Sequence, residues 1–394
     1  PTQARCADLE DGGDMMTVDD VWALLRREVQ RRPPRCARLA DSLGGILRDD
    51  VRASEDQPPF DRSAVDGFVV RAGDEADVFP VTGEVRAGHP AGGGPEPGAA
   101  WRIATGAAVP EGGEVVMLED AVEEDGTVRF LRRGRDHVRR RGEDARTGEV
   151  VVPEGSFLSA GTIGLLASVG KVEVEITRSP EILHVATGDE IVAADAELTG
   201  RQVRDSNSPL VAAWARRRDL PVRSLRVGEE PAALRRAIEG SRDLLLISGG
   251  ASVGRYDGTE DVLAAAGFDI LLTKVAVRPG KPLIVARRGD EWAFGLPGNP
   301  LSHFVCLHVF VEAAVAAMRG GAWEPRCRRA VLRQPIKGNP RETWWPAVED
   351  AEGLRPLRWS SSGDLTALAA ADALVRVPSC GLVVGAEAEF IRTT

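Results

Sequence analysis

Five short stretches concentrate residue types able to hold an anion or a metal ion. SGGASVGRYDG (248–258) offers Ser248, Gly249, Gly250 and Ser252, and its glycines let backbone N–H groups approach a ligand closely. Its spacing is neither GxGxxG nor a Walker A loop, which removes the dinucleotide and P-loop readings. TGDE (187–190) sets two carboxylates side by side, and RPGKP (278–282) stiffens a turn carrying Arg278 and Lys281. LPGNP (296–300) ends in Asn299 and Pro300, a helix cap and a first helical residue, whose N–H groups and dipole would face an anion. PPFDRSAVDG (58–67) has no helical or strand period. Its prolines and Phe60 read as braces and Gly67 as the turn that presents Asp66. Singly, each has a plain explanation: an acidic turn, a flexible turn, solvated cations, a well-made helix start. The four that follow strands of the region 178–322, if the strand order brings them to one rim, together suit a phosphorylated ligand bridged to carboxylates by a divalent cation.

The elements that must position these loops follow from periodicity. Over 178–322, the runs EILHVAT, DLLLISGG, DILLTKVAV and WAFGLPG alternate with helical segments 208–218, 231–240, 259–266 and 300–318. That rhythm predicts a doubly wound, mostly parallel α/β sheet with ligand loops at the carboxyl ends of its strands. Residues 51–145 predict a β-rich, loop-heavy domain, and 323–394 a C-terminal β-barrel. Helices are expected in TVDDVWALLRREVQRR, capped by Thr17, in CARLADSLGGILRDDV (36–51), and in GTIGLLASVG (161–170). Segments 15–50 and 146–177 are left as an elongated linking domain.

Composition narrows the partners. A net charge of −10 argues against nucleic acid. The five scattered cysteines form no CxxC pair, which excludes a zinc ribbon and fits mostly buried thiols in a reducing cytoplasm. The start of the chain has no basic-then-apolar leader, and the apolar segment 301–318 carries two histidines and a glutamate, so no membrane span is expected. His303 and His308, five apart on one helix, share no face and read as structural. The run RRGRDHVRRRG (132–142) reads as a solvated strand pair that could also draw in an anionic substrate.

PPFDRSAVDG, RIATGAAVPEG (102–112), GED (142–144), TGDE, RDSN (204–207), the glycine-rich stretch, RPGKP and LPGNP occur in an order that resembles the molybdopterin molybdenumtransferase family, whose members include MoeA-type enzymes and the E domain of gephyrin. The resemblance runs from about residue 17 to the C-terminus. It implies a homodimer of four-domain subunits. It also implies Mg²⁺-dependent insertion of molybdate into adenylylated molybdopterin, with release of AMP. The cleft would lie between the α/β domain of one subunit and the β domain of its partner. Upstream and downstream, a molybdopterin adenylyltransferase and molybdoenzyme maturation proteins would be partners.

By matched position, the resemblance gives catalytic roles to Asp66, Thr105, Asp144, Glu190 and Asp257, with Glu190 and Asp257 on the metal. Ser248, Gly249, Gly250 and Ser252 would receive the pterin and phosphate. Arg278, Lys281, Pro297, Gly298, Asn299, Pro300, Ser302, Arg341 and Ser362 would take the oxyanion and dithiolene end. The chain departs from the pattern where Arg278 replaces a usual Lys, Phe68 a usual Tyr, and Glu229–Glu230 a common Asp pair. Molybdate is a dianion, so it calls for cations and N–H donors. Two alternatives are an adenylyltransferase, which would leave the β domain with Asp66 and Asp144 unexplained, and a non-catalytic scaffold, against which the retained carboxylates argue.

Overall fold

The computed structural model describes residues 15–90, 92–241, 243–249, 258–320 and 327–393. The chain divides into two compact units: a β-rich one of Ala37–Leu43 and Leu47–Val174, and an α/β one holding the described residues up to Cys36, Gly44–Ile46 and those from Glu175 onward.

Helix α1 (Val18–Glu28) begins as its sequence dictates, with a capping box. Asp20 N donates to Thr17 Oγ1 at 3.2 Å and Thr17 N returns a bond to the Asp20 carboxylate at 2.9 Å. Its apolar stripe of Val18, Val21, Trp22 and Leu25 is buried in the core of the α/β unit. The second helix expected over 36–51 does not form. Pro34–Arg38 is a strand, Leu39–Asp41 a single 3₁₀ turn, and Gly44 adopts φ +77°. Paired prolines favour extended backbone and paired glycines penalise a helix interior, so these outweigh the apolar spacing.

The β-rich unit includes β1 (Arg62–Ser63), β2 (Gly67–Arg71), β3 (Val78–Val85), β4 (Ala100–Ile103), β5 (Gly113–Met117), β6 (Ala121–Glu124), β7 (Thr127–Phe130) and β8 (Val138–Arg139), besides a short pair of Val51–Arg52 with Val150–Val152. Six make one sheet in the order β5-β2-β4-β3-β7-β6, while β8 pairs with β1. Alternate residues of β2 enter two different cores, Phe68 and Val70 in one and Val69 in the other, so the sheet is covered on both faces there. Helix α2 (Ala160–Ser168), capped by Ser159, forms as expected.

The α/β unit contains β9 (Ile182–Thr187), α3 (Asn207–Arg217), β10 (Val222–Val227), α4 (Pro231–Ile238), β11 (Leu244–Ser248), α5 (Thr259–Ala265), β12 (Asp269–Lys274), β13 (Val277–Arg278), β14 (Pro282–Arg288) and β15 (Glu291–Leu296). The sheet order is β10-β9-β11-β15-β14-β12. The first four strands are parallel, and β14 runs antiparallel to both its neighbours. Leu244 and Leu246 of β11 pack into the core that holds α1 and α3, whereas Leu245 and Ile247 pack with α4 and α5. This is the double winding that the run of consecutive apolar residues predicts. Strands β10 and β14 escaped the sequence reading because their polar and basic residues blur the apolar run.

After LPGNP the chain is helical from Pro300 to Arg319, as α6 (Pro300–Cys306), a π segment (Leu307–Val311) and α7 (Glu312–Arg319). The stretch is long and apolar enough to cross a membrane by composition, yet Leu301, Val305, Leu307, Phe310, Val311 and Met318 are buried in the α/β core. Beyond it, β16 (Arg328–Val331), β17 (Glu342–Asp350), β18 (Gly353–Pro356), β19 (Ala373–Val377) and β20 (Glu387–Arg392) join β13 in the order β13-β17-β19-β20-β16, with β18 on β17. A bridge between Leu332 and Leu354 links the β16 end of this sheet to β18.

Of the four described cysteines, only Cys306 is fully buried, while Cys36 and Cys380 are exposed and Cys327 is half-buried. The expectation of mostly buried thiols is therefore corrected: Cys36 and Cys380 lie in surface segments rich in polar residues.

Candidate functional site

Three of the predicted loops leave one rim of the α/β sheet. In the parallel register Ala186 sits beside Ser248 and Ser248 beside Leu296, so TGDE, Gly249 and LPGNP emerge side by side. Because β14 is antiparallel to β15, its first residues also start at that rim, which brings RPGKP there. Gly249 explains how close the loops come. Its φ is +95°, and a Cβ on it would stand 2.4 Å from Thr187 O, so only glycine fits.

The RPGKP edge is cationic. Arg278 and Lys281 form no ion pair or hydrogen bond with any described side chain, and the Arg278 guanidinium lies 5.3 Å over the ring of Trp359. Arg341 joins them because β13 pairs with β17 in parallel register, Val277 beside Glu342. It donates to Val277 O at 2.9 Å, and burial together with the nearby positive charge of Arg278 pushes its pKa below the usual arginine range. Three cations without a carboxylate partner among the described residues thus stand at one edge, an arrangement that an anion would relieve.

LPGNP is built differently from its sequence reading. Asn299 occupies the cap position of α6, but its side chain makes no capping bond and donates instead to Ser362 Oγ at 2.9 Å. Leu301 N donates to Ser362 O at 2.9 Å, so an amide expected to be free for an anion is already satisfied. Ser362 therefore does reach the rim, and Asn207 Nδ2 bonds Gly298 O at 2.9 Å from the third side. Gly298 and Asn299 are exposed and Pro300 is half-buried, whereas Pro297 and Ser302 are buried. Ser248 and Ser302 are 3% and 5% exposed. The Ser248 hydroxyl points into the protein, where the side chains of buried His184 and His303 take both its faces at 2.7 Å.

On TGDE the two carboxylates differ. Asp189 accepts from Glu229 N at 3.0 Å and so holds the loop before α4, which makes Glu229 a structural neighbour through its backbone. Glu190 is exposed and its carboxylate bonds none of the described residues. Mg²⁺ takes hard oxygen ligands and commonly pairs one or two carboxylates with substrate phosphates and water, so Glu190 fits such an ion. Among the described residues no cluster of three His, Cys, Asp or Glu side chains is preassembled for a metal. Gly250, Ser252 and Asp257 lie outside the described residues.

In the β-rich unit Asp66, Thr105 and Asp144 are all exposed. Asp66 Oδ1 accepts from Thr105 N at 2.8 Å, which explains why ATGA and AVDG belong together: the threonine fixes the carboxylate through its backbone. Gly67 serves by close packing, since a Cβ there would lie 2.0 Å from Val116 O. Phe60 is 45% exposed and does not brace this loop. Asp144 is paired with Arg139, one strand pair from Asp66 through β8 and β1. The basic run is correspondingly neutralised: Arg132 pairs with Asp120, Arg133 with Glu114, Arg140 with Asp61 and Asp136, and Arg141 with Asp56. Five of its six arginines, Arg139 included, meet a nearby acid, and Arg135 meets none among the described residues.

Trp359 and His184 have no signal in the sequence that marks them for the site. A tryptophan three residues before Ser362 and a histidine inside an apolar strand become visible only once the strands are in register.

Comparison with known proteins agrees with this geometry. The MoeA N-terminal region (domain I and II) model matches residues 16–170, and the model of a probable molybdopterin binding domain matches 184–317. Molybdopterin molybdenumtransferase of Staphylococcus epidermidis is 31% identical over 362 residues, covering 86% of each chain. That of Staphylococcus aureus is 31% identical over 378 residues, covering 90% of each. A solved molybdopterin biosynthesis MoeA protein from Pyrococcus horikosii superposes with a TM-score of 0.79 at 25% identity, over 97% of this chain and 100% of that one. With the strand-end loops in the register the fold requires, and similarity over nearly the whole length, the chain belongs to the molybdopterin molybdenumtransferase family, enzymes of molybdenum cofactor biosynthesis.

Proposed function

We propose that the protein inserts molybdate into adenylylated molybdopterin and releases AMP. The observation that carries this reading is the cationic edge of Arg278, Lys281 and Arg341, three positive side chains without a carboxylate partner among the described residues, on the sheet rim from which the exposed Glu190 also emerges. A dianionic oxyanion seeks such an edge, and the separate carboxylate suits a cation on the phosphoanhydride. Molybdenum ends on the two sulfurs of the substrate, soft ligands, so no protein thiol is needed. The family resemblance supplies the remaining roles. Gly249, Gly250 and Ser252 receive the pterin and phosphate by backbone and loop contacts, and Ser362 with Asn299 borders the oxyanion. Mg²⁺ held by Glu190 and Asp257 supplies charge neutralisation at the phosphoanhydride when bound. Asp66, Thr105 and Asp144 act from the partner subunit of a homodimer in the cytoplasm. A molybdopterin adenylyltransferase would hand over the substrate, and molybdoenzyme maturation proteins would accept the product.

Purified protein given adenylylated molybdopterin, Mg²⁺ and molybdate should release AMP in step with molybdenum uptake. Absence of AMP under conditions where a known enzyme of the family releases it would overturn the proposal.

A further inference from the structure

Ser248 ends β11, and its hydroxyl lies between two imidazoles, 2.7 Å from His184 Nε2 and 2.7 Å from His303 Nε2. His184 Nδ1 in turn lies 3.3 Å from Ser224 Oγ on β10, while His303 Nδ1 is buried without a hydrogen-bond partner. Burial holds both rings neutral, with pKa values pushed down to about 4 for His184 and about 3 for His303.

The protons can be placed by elimination. A hydroxyl has one proton to give, and a neutral imidazole has one N–H and one lone pair. A proton on His303 Nδ1 would be an orphaned buried N–H, the rarer and costlier defect. His303 therefore donates from Nε2 to Ser248, Ser248 donates to His184 Nε2, and His184 donates from Nδ1 to Ser224. The chain runs one way across three strands and a helix.

Each member sits at the root of a site loop. His184 lies three residues before Thr187 and TGDE, Ser248 immediately before Gly249, and His303 in the first turn of α6 after LPGNP. We propose that His184 and His303 are positioning residues, which through the Ser248 hydroxyl hold the TGDE loop, Gly249 and the LPGNP loop in one shared register. This rests on the transferase reading for what the loops bind, but the coupling itself does not. A core histidine pair that merely satisfied its own hydrogen bonds would transmit nothing from α6 to β9.

The test uses the full chain with His303→Leu, which deletes the donor at similar volume, and His303→Gln, which keeps an amide donor. Amide hydrogen exchange without substrate reads the coupling. His303→Leu should raise exchange about tenfold or more over 187–190, a segment of another element, and His303→Gln should restore most of the protection. Faster exchange confined to 300–306 would overturn the proposal. Should His303→Leu fail to fold, Ser248→Ala removes both bonds without an apolar intrusion and must give the same remote effect. With adenylylated molybdopterin, His303→Leu should raise KM about tenfold while kcat changes less than about threefold, as expected when ground-state positioning is lost. Unchanged KM beside a lowered melting temperature would mean a structural role only. If wild type releases no AMP, the transferase reading fails, while the exchange arm still decides the coupling.

Discussion

Two basic stretches, one in each unit, treat positive charge in opposite ways. In the β-rich unit Arg132, Arg133, Arg139, Arg140 and Arg141 each meet a carboxylate within the same unit, mostly at exposed positions. In the α/β unit Arg278 and Lys281 meet none of the described acids, and Arg341 finds only a carbonyl. Density of positive charge is higher in the first stretch, where only Arg135 lacks an acid among the described residues, whereas in the second three unmatched cations stand together. Exposed matched pairs contribute little to stability and attract no ligand at short range, because their field is already closed. A cation left beside another cation pays a repulsive cost that a bound dianion removes. Unmatched charge, rather than abundant charge, marks the candidate site.

The comparison is broken most directly by removing the unmatched cations. Arg278→Ala combined with Lys281→Ala should lower kcat/KM for AMP release by about 10³-fold, with the melting temperature within a few degrees of wild type, since charge-stabilising donors in a site are worth ~3–4 kcal/mol or more together. A loss under tenfold would show that the oxyanion is held elsewhere. Next in size is Asp66→Asn, which keeps the Thr105 N–H bond but removes the charge, and which should lower kcat about 10²-fold in the same assay. Full activity would strike Asp66 from the site.

Gly67→Ala tests fold against site, because its new Cβ would stand 2.0 Å from Val116 O. It should destabilise the β-rich unit by about 2–4 kcal/mol in urea titrations. Arg140→Ala, on the matched side of the comparison, should change AMP release less than about twofold and stability by less than about 1 kcal/mol. A large drop in activity would restore the basic run as a substrate guide.

Smallest is a pH effect confined to the α/β unit. Burial holds His184, His303 and His308 neutral, at about 4, 3 and 3. Unfolding returns them to their ordinary value near 6.5, so between those limits the unfolded chain binds more protons than the folded one. Their contribution is complete above about pH 6.5 and is lost as the pH falls toward 4. Urea midpoints between pH 7 and pH 5 should fall accordingly, and His303→Leu should flatten the slope by up to about one proton.

Much of this was legible beforehand where chemistry is local. Thr17 and Asp20 specify the start of α1 by themselves, and the apolar run before Ser248 specifies a strand covered on both faces. Elsewhere local signals misled. The apolar spacing over 36–51 suggested a helix, but Gly44 and the prolines oppose it. Asn299 has the composition of a helix cap, yet Ser362, sixty-odd residues away in sequence, captures its side chain. Ser248 looked like a ligand residue because it opens a glycine-rich stretch, and only the register of β9 with β11 reveals the imidazole facing it.

By itself the sequence determined the alternation of strands and helices that makes the α/β unit, the glycine-bearing loops at its strand ends, and the family to which eight ordered motifs point. These depend on residue type and spacing along one chain. Tertiary structure alone decided which charges are spent and which are free, and which polar side chains turn inward. Those outcomes depend on partners distant in sequence, since an arginine beside a carboxylate and an arginine beside another arginine are the same letter with opposite electrostatic fates.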